Sequence, residues 1–391
     1  MKNYKWPLMS NNILQKDKKV LINFINRSNQ FTNGPKVKEF EKKWSKWLGV
    51  KFSTFVNSGA SANLISIHAL KEINSKKKEI ILPAFTWSSD VVSVINAGFK
   101  PIFVDINFNN LALNENLVQK KINKNTLAIF LTHAMGYNGL SKNFLKIIKK
   151  KKIYLIEDVC ESHGVKLGKK KAGTFGAISN FSFYYGHHMT TIEGGMISTN
   201  SKEIDRIVKM KRGHGLLRDS QDKKFINHNV KKNKDLNNNF IFSTLGFNLR
   251  NTEISAVIGI EQLKRLDQSI KIRNRNFKVF IKNLRDDIFF KNFDLKGISS
   301  YGLHLILKKP NKMLFRKILK VLDNNSIEYR RGSLGNQIRQ PYLKKYKNSK
   351  NLKALKNTEH MHFFSVYFGN NQFLSKDKIK RLCNNLNKIK I

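Results

Sequence analysis

The chain is short of cysteine, of proline and of acidic groups, and each shortage narrows what it can be. Two cysteines in 391 residues, Cys160 and Cys383, make no disulfide framework. They suit a reducing compartment, so a cytoplasmic location is expected. Six prolines and no long Pro/Gly/Ser stretch leave no flexible linker between domains, and no internal repeat is visible. No apolar run approaches the ~18–20 residues that span a bilayer. The segment from Met1 to Lys19 has no apolar stretch followed by a small-residue cleavage site, so neither a secretory signal nor a membrane partner is expected. Acidic residues number 27 against 73 basic ones, for a net charge of +46. That imbalance would suit a polyanion. The lysines, however, are spread along the whole chain, with short runs at 76–78, 149–152 and 169–171. None coincides with an aromatic ladder, a zinc spacing or an RNA-binding signature, so no specific nucleic-acid partner and no metal site are expected.

What is present is alternation. Short apolar strands are expected at Ser53–Val56, Ile80–Leu82, Pro101–Val104, Leu127–Thr132, Ile153–Ile156 and Met196–Thr199. Amphipathic patterns such as Ala60–Leu70 and Ser88–Ile95 fall between them. This order predicts an α/β domain whose central sheet is mainly parallel and covered by helices. Apolar positions Ile254, Val257, Ile258 and Leu266 fall near helical spacing. Beyond them, helices at Met313–Asp323 and Lys376–Asn387 mix with strands at Leu303–Leu307 and His362–Val366. The expected division is a large cofactor-binding domain over residues 1–270 and a smaller C-terminal α/β domain over 271–391.

Several segments carry groups with chemistry to offer. Asn57-Ser58-Gly59-Ala60-Ser61 follows the first strand and opens a helix. Its backbone N–H groups and the positive end of the helix suit a phosphate, and a plain tight turn is the simpler reading of the same residues. Ser182 would add a hydroxyl to that phosphate. Asp158 stands at the carboxyl end of a strand, where ligands of parallel sheets collect; a helix cap is the alternative. Trp87, in Ile81-Leu-Pro-Ala-Phe-Thr-Trp-Ser-Ser89, offers an indole either for stacking or for packing. Arg250, in Gly246-Phe-Asn-Leu-Arg250, suits a carboxylate or phosphate, or else a surface ion pair. His214, in Arg-Gly-His-Gly, is placed either near a substrate or in a structural hydrogen bond. The remaining segment is Phe181-Ser-Phe-Tyr-Tyr-Gly-His-His-Met-Thr-Thr-Ile-Glu-Gly-Gly-Met196, which holds two adjacent histidines.

Taken in order, the SGAS turn, PAFTW, DVCESHG, FSF…EGG and GFNLR resemble the DegT/DnrJ/EryC1/StrS group of sugar aminotransferases over nearly the whole chain. The group has the type I (aspartate aminotransferase) fold and uses pyridoxal phosphate. In its aminotransferases the residue six before the Glu of EGG is the lysine that holds the cofactor as a Schiff base. Counting back six from Glu193 reaches His187, and no lysine lies within seven residues of it. An imidazole cannot form that bond but can carry protons near neutral pH. The substitution resembles the branch of sugar 3-dehydratases, and His187 is favoured over His188 by the count. Glu161, where the aminotransferases generally have Gln, fits that branch too.

The resemblance implies pyridoxal 5'-phosphate and pyridoxamine 5'-phosphate held without a covalent link. Ser58, Gly59, Ala60 and Ser182 would hold the phosphate, Asp158 the pyridine nitrogen, Glu161 the ring hydroxyl and Trp87 the ring face. Asn248 would reach the phosphate bound by a partner subunit, which implies a homodimer with shared active sites. Phe247 stands where the family more often has Tyr, so any contact of that hydroxyl is missing. Arg250 and His214 would face the substrate. The implied reaction is glutamate-driven loss of the C3 hydroxyl from a nucleotide-linked 4-keto-6-deoxyhexose, in dideoxysugar and lipopolysaccharide O-antigen biosynthesis, with His187 as the base. A nucleotide-sugar 4-aminotransferase of the same fold is the alternative, and a catalytically silent regulator, motivated by charge alone, is a third. Cluster-dependent members of the branch need about four cysteine ligands. With two cysteines, no iron–sulfur cluster is expected.

Overall fold

A strand whose every position is apolar and buried has to lie inside a sheet covered on both faces. Thr126–Thr132 is buried at all seven positions. The computed structural model, which describes residues 4–390, places it near the middle of a seven-stranded sheet. In chain order the strands are β1 (Phe52–Val56), β2 (Glu79–Pro83), β3 (Lys100–Val104), β4 (Thr126–Thr132), β5 (Tyr154–Asp158), β6 (Ile178–Ser182) and β7 (Gly195–Thr199). Their spatial order is β1-β7-β6-β5-β4-β2-β3. Strand β7 runs antiparallel to both neighbours, and every other pairing is parallel. The carboxyl ends of β1, β2, β4, β5 and β6 therefore share one edge.

Helices Gly59–Ile73, Ser88–Asn96 and Lys142–Lys150 lie between these strands in sequence, and Lys202–Arg212 follows the last of them. Three start on a serine that satisfies a free N–H of the first turn: Ser58 accepts from Ser61, Ser141 from Phe144 and Ser201 from Ile204. No described helix is long and apolar enough to cross a membrane.

A second, antiparallel sheet is built from β8 (Gly302–Ile306), β9 (Tyr329–Arg331) and β10 (Ser365–Gly369), in the order β8-β10-β9. The helix Leu266–Lys282 joins the two sheet regions, and Trp6 folds back onto the small sheet, its indole N–H donating to the Gly369 carbonyl at 2.8 Å.

The six strands expected in the large sheet all form, each within two residues of its expected ends. Two readings are corrected. Strand β6 was not expected, because three of its five residues are polar. Within the fold the Ser179 hydroxyl bonds Gly173 O, and Asn180 accepts from Ser66. The expected strand His362–Val366 starts three residues late. His362–Phe364 instead closes the helix Lys356–Phe364, where the Ser365 hydroxyl donates to Met361 O at 2.6 Å and ends it.

Candidate active site

The carboxyl edge of the large sheet and the small sheet enclose a cavity of about 300 Å³. The turn after β1 enters it closely. A Cβ on Gly59 would lie 2.6 Å from the Ser182 Cβ, and one on Gly195 would lie 2.1 Å from Ser58 O. Only glycine allows these approaches, so the SGA turn and the EGG segment pack backbone against backbone. The N-terminus of the helix Gly59–Ile73 and the Ser182 hydroxyl consequently face the same space.

Asp158, the last residue of β5, lines the cavity. Its Oδ1 accepts the Cys160 N–H at 2.8 Å and its Oδ2 accepts Asn63 Nδ2 at 3.2 Å. Glu161 lies three residues on and accepts the Met135 N–H at 2.9 Å. Burial pushes its carboxyl up to about 7, against the pull of that N–H. Trp87 is 50 % exposed and lines the cavity, which sets aside the reading of its indole as core packing.

The two histidines point to different places. His188 is buried, its Nε2 lying 3.1 Å from both the carbonyl and the hydroxyl of Ser299. His187 lines the cavity, and its Nδ1 has no hydrogen-bond partner among the described residues. Burial first, and the Arg273 guanidinium second, push the His187 imidazole down to about 3. The near-neutral titration expected from an ordinary histidine is thus corrected: at pH 7 this ring is a neutral base.

His214, Asn248 and Arg250 are not brought into the cavity of this chain. They form an exposed cluster, in which Arg250 Nε donates to Asn248 Oδ1 at 3.3 Å and Arg250 Nη2 lies 3.3 Å from His214 Nε2. Isolated bridges Val56–Arg250 and Gly213–Asn248 fix the cluster beside the end of β1.

The opposite wall, which sequence reasoning missed, holds Arg273, Tyr301, Arg330 and Tyr367. Arg273 is buried; its Nη1 donates to Tyr301 O at 2.9 Å and its Nε has no partner. No acidic residue pairs with Arg273 or Arg330 among the described residues. A signal for Arg273 was available. It falls on the buried stripe of its helix with Leu266, Ile270 and Phe277, where a cation stands out.

The profile of the DegT/DnrJ/EryC1/StrS aminotransferase family matches residues 12–387. The chain belongs to this family. It is 33 % identical over 360 residues to the GDP-4-keto-6-deoxy-D-mannose 3-dehydratase of Escherichia coli O55:H7, covering 91 % of this chain and 92 % of that protein. The enzyme of the same name from Yersinia pseudotuberculosis is 32 % identical over 390 residues, covering 98 % of each. A solved structure of the E. coli enzyme with bound hydrated PLP superposes with a TM-score of 0.88 at 31 % identity, covering 98 % of this chain and 100 % of that one. The single reversed strand in an otherwise parallel sheet, with a small C-terminal sheet beside it, is thus the family's type I pyridoxal-phosphate fold.

The residues present fit a phosphorylated pyridine. The close-packed SGA turn and Ser182 offer donors to a phosphate, Asp158 offers a carboxylate and Trp87 an aromatic face. Among the described residues no lysine lines the cavity, so none of them is placed to form a covalent tether.

Proposed function

We propose that this chain is a pyridoxal-phosphate-dependent 3-dehydratase acting on a nucleotide-linked 4-keto-6-deoxyhexose, with L-glutamate as amino donor. The observation that carries this is His187, which occupies the count position of the family's lysine and faces a cavity that no lysine among the described residues lines. The names of the E. coli and Yersinia relatives point to a GDP-linked 6-deoxymannose derivative, so that is the first substrate to test.

Bound in the cavity, the cofactor supplies a reactive amine for the sugar's C4 ketone and a ring that takes up electrons. Ser58, Gly59, Ala60 and Ser182 hold its phosphate. Asp158 keeps the pyridine nitrogen protonated, Glu161 meets the ring hydroxyl and Trp87 covers one face. His187, neutral at pH 7, accepts a proton from the C4′ carbon as the C3 hydroxyl leaves. The water lost at C3 is taken up again when the released enamine hydrolyses and frees ammonia, so the net change is loss of the C3 oxygen to give a 4-keto-3,6-dideoxy sugar, with glutamate oxidised to 2-oxoglutarate. Asn248 reaches the phosphate of a second subunit, and His214 and Arg250 face the substrate there. Their exposed position outside this chain's own cavity supports a homodimer. A fully active monomer at micromolar concentration would rule that out. The setting is the cytoplasm, in dideoxysugar synthesis for surface polysaccharide.

The test is a panel of GDP- and CDP-4-keto-6-deoxyhexoses with glutamate, read by mass spectrometry. A product that lacks the C3 oxygen, formed with one 2-oxoglutarate and one ammonia per turnover, is expected. A 4-amino sugar that keeps its C3 oxygen would show an aminotransferase instead.

A further inference from the structure

Next to Asp158 lies a second carboxyl that the proposed reaction does not use. Asp90 is wholly buried in the first turn of the helix Ser88–Asn96 and does not line the cavity. Its Oδ1 accepts Asn63 Nδ2 at 2.8 Å. Its Oδ2 accepts the Thr132 hydroxyl at 2.8 Å and also meets the Thr86 hydroxyl, which can accept a carboxyl proton while passing its own to Thr132 Oγ1, 2.7 Å away. The same Asn63 nitrogen reaches Asp158 Oδ2 at 3.2 Å, so one amide bridges two carboxyls that only the fold brings together. Asn63 Oδ1 has no partner, which leaves these bonds, with one to Ser89 Oγ, to fix the amide.

The titratable groups facing Asp90 are Asp158 on the end of β5, Cys160 in the turn that follows and Tyr342 from the C-terminal region. None is a cation. Two bare carboxylates in so buried a place repel strongly, and a shared proton is the usual outcome. The surroundings say where it sits. Asp158 opens onto the cavity and accepts a backbone N–H, whereas Asp90 meets only hydroxyls and the amide. Burial first and the Asp158 charge second push the Asp90 carboxyl up.

We infer that Asp90 is a positioning residue: the proton-bearing half of a carboxyl pair that, through Asn63, holds Asp158 in place and leaves one negative charge, on Asp158. A single charge matches a single pyridinium. Losing Asp90 frees the Asn63 amide to turn, and Asp158 loses its anchor.

The part of this inference that concerns cofactor affinity rests on the proposed function; the carboxyl pair itself does not. Infrared spectra of the apo-protein carrying carbon-13 aspartate should show at pH 7 a protonated carboxyl band that Asp90→Asn removes. A wild type without the band, or a band unchanged in Asp90→Asn, overturns the pairing. Pyridoxal-phosphate affinity should fall about tenfold in Asp90→Ala and return to within about threefold of wild type in Asp90→Asn, as removal and conservation of one buried hydrogen-bonding group predict. A cofactor analogue with carbon in place of the ring nitrogen should bind wild type and Asp90→Ala alike. Equal losses for both ligands, or losses in Asp90→Ala and Asp158→Ala that simply add in the double variant, overturn the positioning role. Should Asp90→Ala fail to fold, Asn63→Ala removes the bridge alone and must give the same contrast between the two ligands. A chain that bound no cofactor at all would remove the proposed function, while the infrared result would still decide the pair.

Discussion

The wall of the cavity that comes from the large sheet carries Asp158 and Glu161, whereas the facing wall carries Arg273 and Arg330. The first wall is matched internally: Asp158 accepts the Cys160 N–H and the Asn63 amide, and Glu161 accepts the Met135 N–H. The second is not, because neither arginine has an acidic partner among the described residues. Arg273 is buried, and a buried cation without counter-charge is costly, whereas Arg330 reaches solvent. An anionic ligand beside Arg273 would supply the missing counter-charge. His187 is held neutral by burial first and by the Arg273 charge second.

The largest expected effect breaks the contrast at its centre. His187→Asn keeps a polar group but removes the base, and a positioned general base is worth ~10²–10⁴-fold. Dehydration should fall by that much, as should glutamate-driven formation of the amine form of the cofactor, measured by absorbance. His188→Asn should be far milder in rate, since that ring bonds Ser299 and does not line the cavity. The reverse ranking would mean that the count from Glu193 chose the wrong imidazole. Next comes Asp158→Ala on the matched wall. A hydrogen bond to a charged group contributes about 1.5–3 kcal/mol, so cofactor affinity should drop by ~10–100-fold. A loss within a few-fold by equilibrium titration would remove Asp158 from the ring.

These two walls were not equally legible in the sequence. Ser58–Ala60, Asp158 and Ser182 sit in short motifs because glycine, serine and aspartate are demanded there by close backbone approach and by the ends of parallel strands. The Gly59 and Gly195 contacts are the physical reason those motifs survive as readable strings. Arg273, Tyr301, Arg330 and Tyr367 come from a helix and three strand ends or strands, one residue from each, so no local motif gathers them, and only Arg273, on its helix's buried stripe, left a signal. Asp90 was passed over one residue beyond the quoted Trp87-Ser-Ser89 segment. Nothing local says that it meets Asp158, 68 positions away by number, since the Asn63 bridge exists only after folding. Strand β6 was hidden for a related reason, its buried Ser179 and Asn180 looking like loop residues until their partners are in place.

Arg273→Met sharpens the contrast on the unmatched wall. Removing the guanidinium takes away the second cause of the low proton affinity of His187, so the ring should take up protons more readily. Its titration, followed by NMR of nitrogen-15 histidine, should move up from about 3 but stop short of the ordinary 6.5, because burial is the larger cause and stays. A titration that does not move would mean that water, rather than Arg273, sets the local field.

The smallest effect tests the matched wall through Glu161. Its carboxyl rises from the ordinary 4.5 to about 7 in the fold. Between those values the folded chain holds more protons than the unfolded one, so stability must fall as pH rises through that window. The Asp158 charge adds to the rise, and the Met135 N–H opposes it. Glu161→Gln has nothing to ionise there and should lose this part of the slope. Allowing for water in the open cavity, the difference should be of order 1–2 kcal/mol in the unfolding free energy of the apo-protein between about pH 4.5 and pH 7. Urea midpoints at several pH values measure it. Parallel profiles for wild type and Glu161→Gln would show that Glu161 is already ionised at neutral pH, and the cavity would then meet its ligand with a full negative charge beside Asp158.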